Sequence, residues 1–216
     1  CYTLISYSSQ VGKGFMDSQP DTDLIAKCIA GEVEVYQVLV DRYSARIVNV
    51  AYMMIGDRHE AEDVAQDAFV RAYKALPKFQ HKAKFSSWLY QIALNLCKDF
   101  LKSKARSIKK MDDEKLQALE KRMEGSVSQV LLEAELSEGI REVIYGLPEL
   151  YREVFVLRHL QGVDYDDVAE ITNVPADTVR VRAYRARELL RSSLAPIVDT
   201  YWKEMAVREK NGAKSG

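Results

Sequence analysis

Apolar residues recur at spacings of three and four through almost every patterned segment of this chain, and this spacing constrains the fold more than any other feature. The clearest case is the segment 57–76, whose apolar positions are Ala61, Val64, Ala65, Ala68, Phe69, Ala72, Tyr73 and Leu76. Residues spaced in this way share one face of an α-helix. Alternation at a spacing of two, which a half-buried strand would need, is nearly absent. We therefore predict an all-α protein.

The bulk composition is typical of a soluble folded protein. The chain has 216 residues, of which 47% are hydrophobic and 29% charged, and its formal net charge is -1. Because the net charge is near zero, nucleic-acid binding would have to come from local basic clusters. The cysteines Cys1, Cys28 and Cys97 are widely separated and lack metal-ligand spacing. We expect buried thiols at Cys28 and Cys97, no metal site and no cofactor.

Neither a membrane span nor a secretory signal is expected. The most apolar stretch, 47–55, is interrupted by Asn49 and is far shorter than the roughly 20 residues that a membrane-spanning helix needs. The N-terminus lacks a basic start followed by a long apolar run. Met16 is a candidate start, which would make residues 1–15 an upstream extension. We expect a cytoplasmic protein with no direct membrane insertion.

Changes in composition divide the chain into five segments. These are an N-terminal extension at 1–20, a small helical domain at 21–106, a flexible linker at 107–132, a second small helical domain at 133–200 and a tail at 201–216. The linker is densely charged and has no broad apolar face, so we expect a mobile connector, although its middle could form a transient helix through Leu116 and Leu119. The tail is polar, and we expect it to be frayed. In the first domain we expect two helices broken near Gly31, then helices at 57–76 and 85–101.

The second domain carries the pattern of a helix-turn-helix. We expect a helix from about Pro148 to Gly162, then a short helix that Asp164 and Asp167 would cap. The segment 172–174 has the length of the turn in such a motif. On the next helix the expected inner stripe is Val179, Ala183, Ala186 and Leu190, and the expected outward residues are Arg180, Arg182, Tyr184, Arg185, Arg187 and Arg191.

A row of arginines on a helix is often no more than a solvated face, because arginine is a good helix former. Here the row follows a short helix and a tight turn, and its basic residues begin in the first turns of the helix. Docking in the major groove requires this order, since the N-terminal turns face base edges while flanking cations meet phosphates. We predict that this unit binds double-stranded DNA.

The first domain separates acidic from basic residues. Glu60, Asp63 and Asp67 lie beside the apolar stripe of the helix at 57–76, whereas lysines and an arginine crowd the end of the next helix. The helix dipole accounts for part of this separation. The loop at 79–88 mixes cations with aromatic rings, which suits unstacked bases beside a cationic groove. Phe85 and Trp88 could equally fill the helical core.

Three segments together resemble conserved regions two and four of the extracytoplasmic function (group IV) sigma factors, the smallest members of the main bacterial sigma family. They are GDRHEAEDVAQDAFVRAYKAL, FSSWLYQIALNLCKDFLK and LPELYREVFVLRHLQGVDYDDVAEITNVPADTVRVRAYRAREL, in that order. The resemblance covers roughly residues 21–106 and 133–195. It implies a transcription initiation factor, not an enzyme, that directs core RNA polymerase to specific promoters in a stress or envelope response.

The resemblance also implies which residues bind. The acidic helix would dock on the clamp coiled coil of the polymerase β′ subunit through Asp57, Glu60, Asp63, Gln66 and Asp67. The melted −10 element would be held by Gln80, Lys84, Ser86, Ser87, Trp88, Asn95, Lys98 and Lys102. The −35 element would be read as duplex by Thr178, Arg180, Val181, Tyr184, Arg185 and Arg187. The polymerase β flap and an anti-sigma factor are further implied partners.

One residue departs from the family pattern. Val181 stands where many members have a small hydroxyl residue such as serine. A hydrogen bond is lost there, and an apolar contact, for instance with a thymine methyl group, becomes available. The preferred −35 sequence is therefore open.

Two other classes of protein compete with this interpretation. A dimeric helix-turn-helix repressor, with 21–106 as a sensing or dimerisation domain, leaves the basic and aromatic loop unexplained. A metal-dependent nuclease could use Glu60, Glu62, Asp63 and Asp67, because helical carboxylates can share a divalent ion. The histidines are scattered, however, and neither a nucleophile-base pair nor a glycine-rich phosphate loop is apparent.

Overall fold

The computed structural model describes residues 19–79, 83–108 and 132–212, with side chains at 19–79, 83–106 and 139–196. Its helices are α1 (Asp21–Ile29), α2 (Tyr36–Ile55), α3 (Arg58–Ala75), α4 (Phe85–Ile108), α5 (Leu132–Tyr145), α6 (Glu149–Phe155), α7 (Tyr165–Thr172) and α8 (Ala176–Gly212). Short 3₁₀ turns lie at Val33–Val35 and Leu76–Lys78, and a π-helical segment, Val156–Leu160, continues α6. The all-α prediction is confirmed, since no strand occurs in the described ranges.

Helices α2, α3 and α4 pack against one another and form the core of the first domain, and α1 packs on α2. The predicted stripe of α3 is buried at Ala61, Val64, Ala65, Ala68, Phe69 and Ala72. Large side chains from the two neighbouring helices meet it, among them Leu39, Ile47 and Met54 of α2 and Leu89 and Leu94 of α4. The distance between helix axes depends on the side chains at the contact, so the alanines of α3 favour close packing.

The ends of these helices follow the sequence signals. Asp57 precedes α3 and its Oδ1 accepts a hydrogen bond from the Glu60 backbone N–H at 3.1 Å, which confirms the predicted N-cap. Helix α2 ends at Ile55 and is followed by Gly56, which has a φ of 81° and whose N–H donates to the Tyr52 carbonyl at 2.8 Å. Only glycine adopts this left-handed conformation without a steric cost. The predicted break near Gly31 is also present.

In the second domain α8 contacts α5, α6 and α7. The predicted inner stripe of α8 is confirmed, because Val179, Ala183, Ala186 and Leu190 are all buried. Val168 and Ile171 of α7 are buried in the same core. The turn between α7 and α8 passes through Asn173 with φ of 54°, a left-handed position that asparagine tolerates better than most residues.

Several boundaries differ from the predictions. Helix α4 extends to Ile108 rather than ending near Leu101, whereas α6 begins at Glu149, next to the predicted start at about Pro148. Helix α8 continues to Gly212 through the segment expected to be a frayed tail. Between Pro196 and Gly212 the sequence contains no glycine or proline, so nothing in it ends the helix earlier. Residues 1–18 of the expected extension and residues 109–131 of the expected linker lie outside the described residues.

The predicted cap of α7 is wrong. Asp164 precedes this helix, but its side chain makes no capping hydrogen bond. Its Oδ1 instead lies 3.5 Å from Arg158, and the Asp167 carboxylate forms an ion pair with Lys84 of the first domain at 2.7 Å. Both carboxylates that were expected at the helix start are therefore turned towards cations.

The two domains lie in direct contact. Helix α2 contacts α5 and α6, and α4 contacts α7. Arg152 of α6 is buried and donates to the Met54 carbonyl at the end of α2 at 2.7 Å. One hydrophobic cluster runs through both domains. Among the helices of the described ranges, none combines the length and apolar character that crossing a membrane requires.

Candidate functional site

The outer face of α8 is a basic and aromatic surface at the helix-turn-helix. Arg180, Arg185 and Arg187 are exposed, as are Val181 at 51% and Tyr184 at 58%. Thr178 is half-buried beside them. Such a surface suits DNA, because apolar side chains can contact thymine methyl groups and arginines can contact base edges and phosphates. The six residues predicted for the −35 element therefore all lie on α8 with exposed or half-buried side chains.

Arg180 is held in place by residues of both helices of the motif. Its Nη1 donates to Asp177 Oδ1 at 2.8 Å, and its Nη2 lies 4.0 Å from Asp166. Its guanidinium also lies 5.8 Å from the centroid of the Tyr165 ring. These contacts orient a side chain that would otherwise sample many rotamers, so it is partly ordered before any ligand binds.

Arg182 was predicted to point outward from α8, but its side chain turns inward. Its side chain is only 18% exposed, and its Nη1 lies 3.5 Å from Glu153 Oε1. Glu153 is itself buried on α6, which explains the inward turn, because a buried carboxylate needs a cationic partner. Arg182 therefore holds the domain together rather than contributing to the outer face.

The acidic face of α3 is exposed along the first three turns. Asp57, Glu60, Asp63 and Gln66 are exposed, and Asp67 is half-buried and forms an ion pair with Arg71 at 3.0 Å. Beside this face α2 and α3 form an open groove of about 480 Å³. It is lined mainly by Val40, Ser44, Val48, Asn49, Tyr52, Arg58, Glu62, Gln66 and Phe69. A groove with a partly apolar floor and charged rim can accept a helical partner.

Most residues of this groove were not among the predicted ones. Gln66 was, but Asn49 and Tyr52 line the groove without having been assigned a role, and Glu62 was named only for the competing nuclease. Their positions depend on how α2 packs against α3, which a single sequence does not specify. One signal was available, since Asn49 is a polar residue inside the most apolar stretch of the chain.

Phe79 and the first turn of α4 form an aromatic cluster. The ring of Trp88 lies 4.9 Å from that of Phe79 and 5.9 Å from that of Phe85, centroid to centroid. Phe85 is buried and also contacts Tyr43 of α2 at 5.7 Å. Phe85 therefore fills the core, which was one of the two interpretations of this ring, the other being stacking on a base. Trp88 is half-buried and keeps part of its surface available.

The remaining predicted −10 residues are placed in different environments. Asn95 and Lys102 are exposed on α4, Ser86 is half-buried and Ser87 is buried at 3% exposure. Gln80 lies outside the described residues. Ser87 is thus inside the helical packing in this structure, whereas Asn95 and Lys102 are available to a ligand.

Lys84 and Lys98 are both paired with carboxylates of the second domain. Lys84 Nζ lies 2.7 Å from Asp167 Oδ2, and Lys98 Nζ lies 2.5 Å from Glu153 Oε2. Burial raises the pKa of the Glu153 carboxyl, and the nearby Lys98 opposes that rise. Glu153 was not singled out in the sequence, where a glutamate inside an otherwise apolar helix face was the available signal.

The cysteines behave as the sequence analysis expected. Cys28 and Cys97 are both buried. Burial raises the pKa of the Cys97 thiol to about 12, and it also raises that of Cys28. In the part of the chain that the structure describes, His, Cys, Asp and Glu side chains form no group of three or more that could hold a metal ion.

Comparison with known proteins gives matches along most of the chain. Residues 39–107 match the Sigma-70 region 2 family, and residues 137–190 match the Sigma-70 region 4 family. Over 176 residues the chain is 38% identical to the ECF RNA polymerase sigma factor SigW of Bacillus subtilis, covering 76% of this chain and 91% of SigW. It is 31% identical to the RNA polymerase sigma-H factor of Pseudomonas aeruginosa over 194 residues, covering 85% of this chain and 98% of that factor.

A solved structure has a similar fold. It is the sigma factor RpoE in complex with the anti-sigma factor NepR from Bartonella quintana, with a TM-score of 0.61. The match covers 74% of this chain and 96% of the RpoE chain at 18% sequence identity. At that identity the likeness concerns the arrangement of helices and not the residues on their surfaces.

Proposed function

The chain belongs to the sigma-70 family of RNA polymerase sigma factors, and on that premise we propose that it is an extracytoplasmic function (group IV) member. It is a transcription initiation factor that binds core RNA polymerase and directs it to specific promoters. In this proposal 21–106 is the region 2 domain, 133–200 is the region 4 domain and 107–132 is the linker that joins them. The factor acts in the cytoplasm, where it serves a stress or envelope response.

The acidic face of α3 and the groove beside it are the proposed docking site for the polymerase. The clamp coiled coil of the β′ subunit would lie along Asp57, Glu60, Asp63, Gln66 and Asp67. Support comes from the exposure of this face and from the groove of about 480 Å³ whose rim includes Gln66. We add Glu62 and Asn49 to the proposed contacts, because both line the same groove.

The outer face of α8 is the proposed reader of the −35 duplex. Arg180 and Arg185 are exposed and can each donate two hydrogen bonds to a guanine, a contact that contributes about 1–3 kcal/mol of discrimination. The isopropyl group of Val181 is exposed between them and offers an apolar contact to a thymine methyl group. The polymerase β flap would bind elsewhere on the same domain.

The loop and first turns of α4 are the proposed reader of the melted −10 strand. A base turned out of the stack costs a few kcal/mol, which stacking on Trp88 and contacts to phosphates would have to offset. Lys84, Asn95, Lys98 and Lys102 supply the polar and cationic groups. Two of these lysines are occupied by carboxylates in the present arrangement of the domains.

An anti-sigma factor is a further proposed partner. The RpoE structure with the similar fold is a complex with such a factor. Co-purification of this chain from native cells, followed by mass spectrometry, tests the proposal. Recovery of core polymerase subunits without any additional stoichiometric protein under uninduced conditions would contradict it.

The basic and aromatic surface of α8 is the observation that carries the proposed function, because it suits a DNA-reading role in a chain whose other domain has an exposed acidic helix. In vitro transcription with core polymerase over a randomised promoter library tests it and reads the preferred sequence at the same time. We expect core-dependent transcripts from templates with related −35 and −10 elements. Tight binding to a duplex without core, together with no association with core, would overturn the proposal in favour of a repressor.

A further inference from the structure

Asp177 is an acidic residue on the surface that is proposed to read DNA. It lies in the first turn of α8, and its side chain is 95% exposed. Arg180 follows one helical turn later, so the two side chains share the outer face of the helix. The phosphates of an approaching duplex repel a carboxylate at this place, so Asp177 opposes binding unless it meets a hydrogen-bond donor.

The helix dipole gives an ordinary reason for an aspartate in a first turn, since negative charge is favourable there. It does not account for how Asp177 uses its two oxygens. Oδ1 accepts a hydrogen bond from Arg180 Nη1 at 2.8 Å. Among the residues that the structure describes, none donates a hydrogen bond to Oδ2. Asp177 therefore orients the arginine with one oxygen and keeps the other available.

Arg180 is also anchored from the preceding helix. Asp166 of α7 lies 4.0 Å from Arg180 Nη2, and the centroid of the Tyr165 ring lies 5.8 Å from the guanidinium. Arg158 lies 4.6 Å from the centroid of the same ring and donates to the Val163 carbonyl, which helps to fix the ring. A single ion pair on a helix surface orders its side chains little. Contacts from two helices restrict Arg180 more strongly.

The chemistry of the major groove defines what such a carboxylate can accept. The hydrogen-bond donors on base edges there are the N4 amine of cytosine and the N6 amine of adenine, whereas thymine and guanine present carbonyl acceptors. A carboxylate only accepts, so it gains a hydrogen bond from cytosine or adenine and is left unpaired by thymine or guanine. Each base pair carries one such amine, on one strand or the other. A carboxylate in the groove therefore selects the orientation of a base pair.

The spacing of Asp177 and Arg180 is close to that of neighbouring base pairs. Three residues of α-helix rise about 4.5 Å, and successive base pairs of B-form DNA lie about 3.4 Å apart. The first turns of a recognition helix are also the turns that face base edges. With Arg180 donating to a guanine, Asp177 would face the next base pair.

We propose that Asp177 is a specificity-determining residue of the −35 reader, which orients Arg180 for a guanine and accepts a hydrogen bond from the amine of cytosine or adenine in the neighbouring base pair. The proposal rests on the proposed function, because that function brings α8 to the −35 duplex. Asp166 and Tyr165 are positioning residues that act through Arg180 alone. The Asp177 carboxylate also disfavours thymine and guanine at the base that it faces.

The test is in vitro transcription with core polymerase on promoters with a randomised −35 element, each identified by a barcode in its transcript. Arg180→Ala first locates the guanine, as the position where a guanine preference disappears. At an adjacent position the unaltered chain should favour cytosine and adenine over thymine and guanine on one strand, on the order of tenfold. Asp177→Ala should abolish that preference and weaken the preference for the guanine. Absence of the adjacent preference in the unaltered chain, or its persistence in Asp177→Ala, would overturn the proposal.

Asp166→Asn is the matched control, because it also removes a carboxylate beside Arg180 but does so from α7. It should change the strength of the guanine preference and leave the choice at the adjacent position as it was. If Asp166→Asn abolished the adjacent preference as fully as Asp177→Ala, negative charge near Arg180 would be the cause and a base contact by Asp177 would be wrong.

Asp177→Asn covers the case in which Asp177→Ala does not fold. It keeps the size of the side chain, and its amide both donates and accepts hydrogen bonds. Cytosine should therefore lose its advantage over thymine at the adjacent position. If cytosine kept its full advantage, the carboxylate would not be what selects it.

The outcomes separate this proposal from the proposed function. Core-dependent transcription that requires Arg180 but shows the same base preferences with and without Asp177 would overturn only the role of Asp177. Absence of core-dependent transcription from every template would overturn the function itself.

Discussion

Single exposed residues on the two proposed surfaces should affect separate steps of initiation. Arg185 is exposed on α8 and Asp63 is exposed on α3, and neither supports the core. Arg185→Ala removes the proposed guanine contact, which would contribute about 1–3 kcal/mol, so transcription from the cognate promoter should fall about tenfold while binding to core polymerase is unchanged. Asp63→Arg should weaken core binding and leave the DNA-reading face intact.

In vitro transcription measures the effect of these two substitutions on promoter use, and fluorescence titration measures their effect on the affinity for core polymerase. Arg191→Ala is a matched control, since Arg191 is an exposed arginine farther along α8 that pairs with Glu188 at 2.9 Å. It should have little effect on either measurement. Equal loss of core binding in Arg185→Ala and Asp63→Arg would show that the division of roles is wrong.

A buried thiol gives a prediction that depends on pH. Because burial raises the Cys97 pKa from 9.0 to about 12, its reactive thiolate fraction near pH 8 falls about a thousandfold. Alkylation of Cys97 by iodoacetamide, followed by mass spectrometry of the peptide, should be slower than in urea by about that factor. Between pH 9 and 12 the folded chain holds this proton more tightly than the unfolded chain, so the free energy of unfolding should fall as pH rises. Alkylation at the unfolded rate would show that Cys97 is accessible.

At the scale of helices, the N-cap of α3 should contribute measurably to the stability of the first domain. Asp57 accepts the Glu60 N–H at 3.1 Å, and loss of such a cap typically costs about 1 kcal/mol. Asp57→Ala should therefore lower the free energy of unfolding, measured by urea denaturation, by about that amount. Asp57→Asn keeps an acceptor at the same position and should retain most of the stability. Equal losses in both variants would indicate a charge effect instead of capping.

The sequence predicted the helices better than their ends. Strong apolar periodicity predicted α3 and the inner stripe of α8, because burial of one helix face determines which positions must be apolar. The predicted capping role of Asp164 was wrong, because a carboxylate before a helix can either cap the helix or pair with a cation. The cation is Arg158, which folding brings within 3.5 Å of Asp164. The groove beside α3 could not be predicted for a related reason, because it depends on how two helices pack.

At the scale of the whole molecule, the contact between the domains was not predictable from periodicity or composition. Lys98 and Glu153 are 55 positions apart and each resembles an ordinary surface charge in the sequence. Helix α4 packs against α7, and this contact brings Lys98 to Glu153 of α6 in the interior of the other domain. The likeness to other sigma factors identified both domains but carried no information on whether they touch in this chain.

The shared interface should make the two domains unfold together. Arg152 is buried, donates to the Met54 carbonyl at 2.7 Å and to the Leu147 carbonyl of its own domain at 3.1 Å, and stacks on Tyr145. Arg152→Met leaves a buried carbonyl without its partner, at a cost of about 1–3 kcal/mol, and weakens the link between domains. Differential scanning calorimetry should show one transition in the unaltered chain and two in the variant.

Arg158→Met is the control for that experiment. Arg158 is half-buried and donates to the Val163 carbonyl at 3.0 Å, entirely within the second domain. It should lower the temperature of unfolding without dividing the transition. Two transitions in the unaltered chain would mean that the domains are not coupled, and a single transition in both variants would mean that Arg152 does not couple them.

Gly56 and Tyr145 also have a consequence for how related chains diverge. The glycine ends α2 with a positive φ and leaves the space into which the ring of the other domain fits. A side chain at position 56 would be strained by the backbone and would also displace the ring. We therefore expect positions 56 and 145 to vary together among related chains. Relatives without a glycine at position 56 should no longer retain an aromatic residue 89 positions later, at position 145.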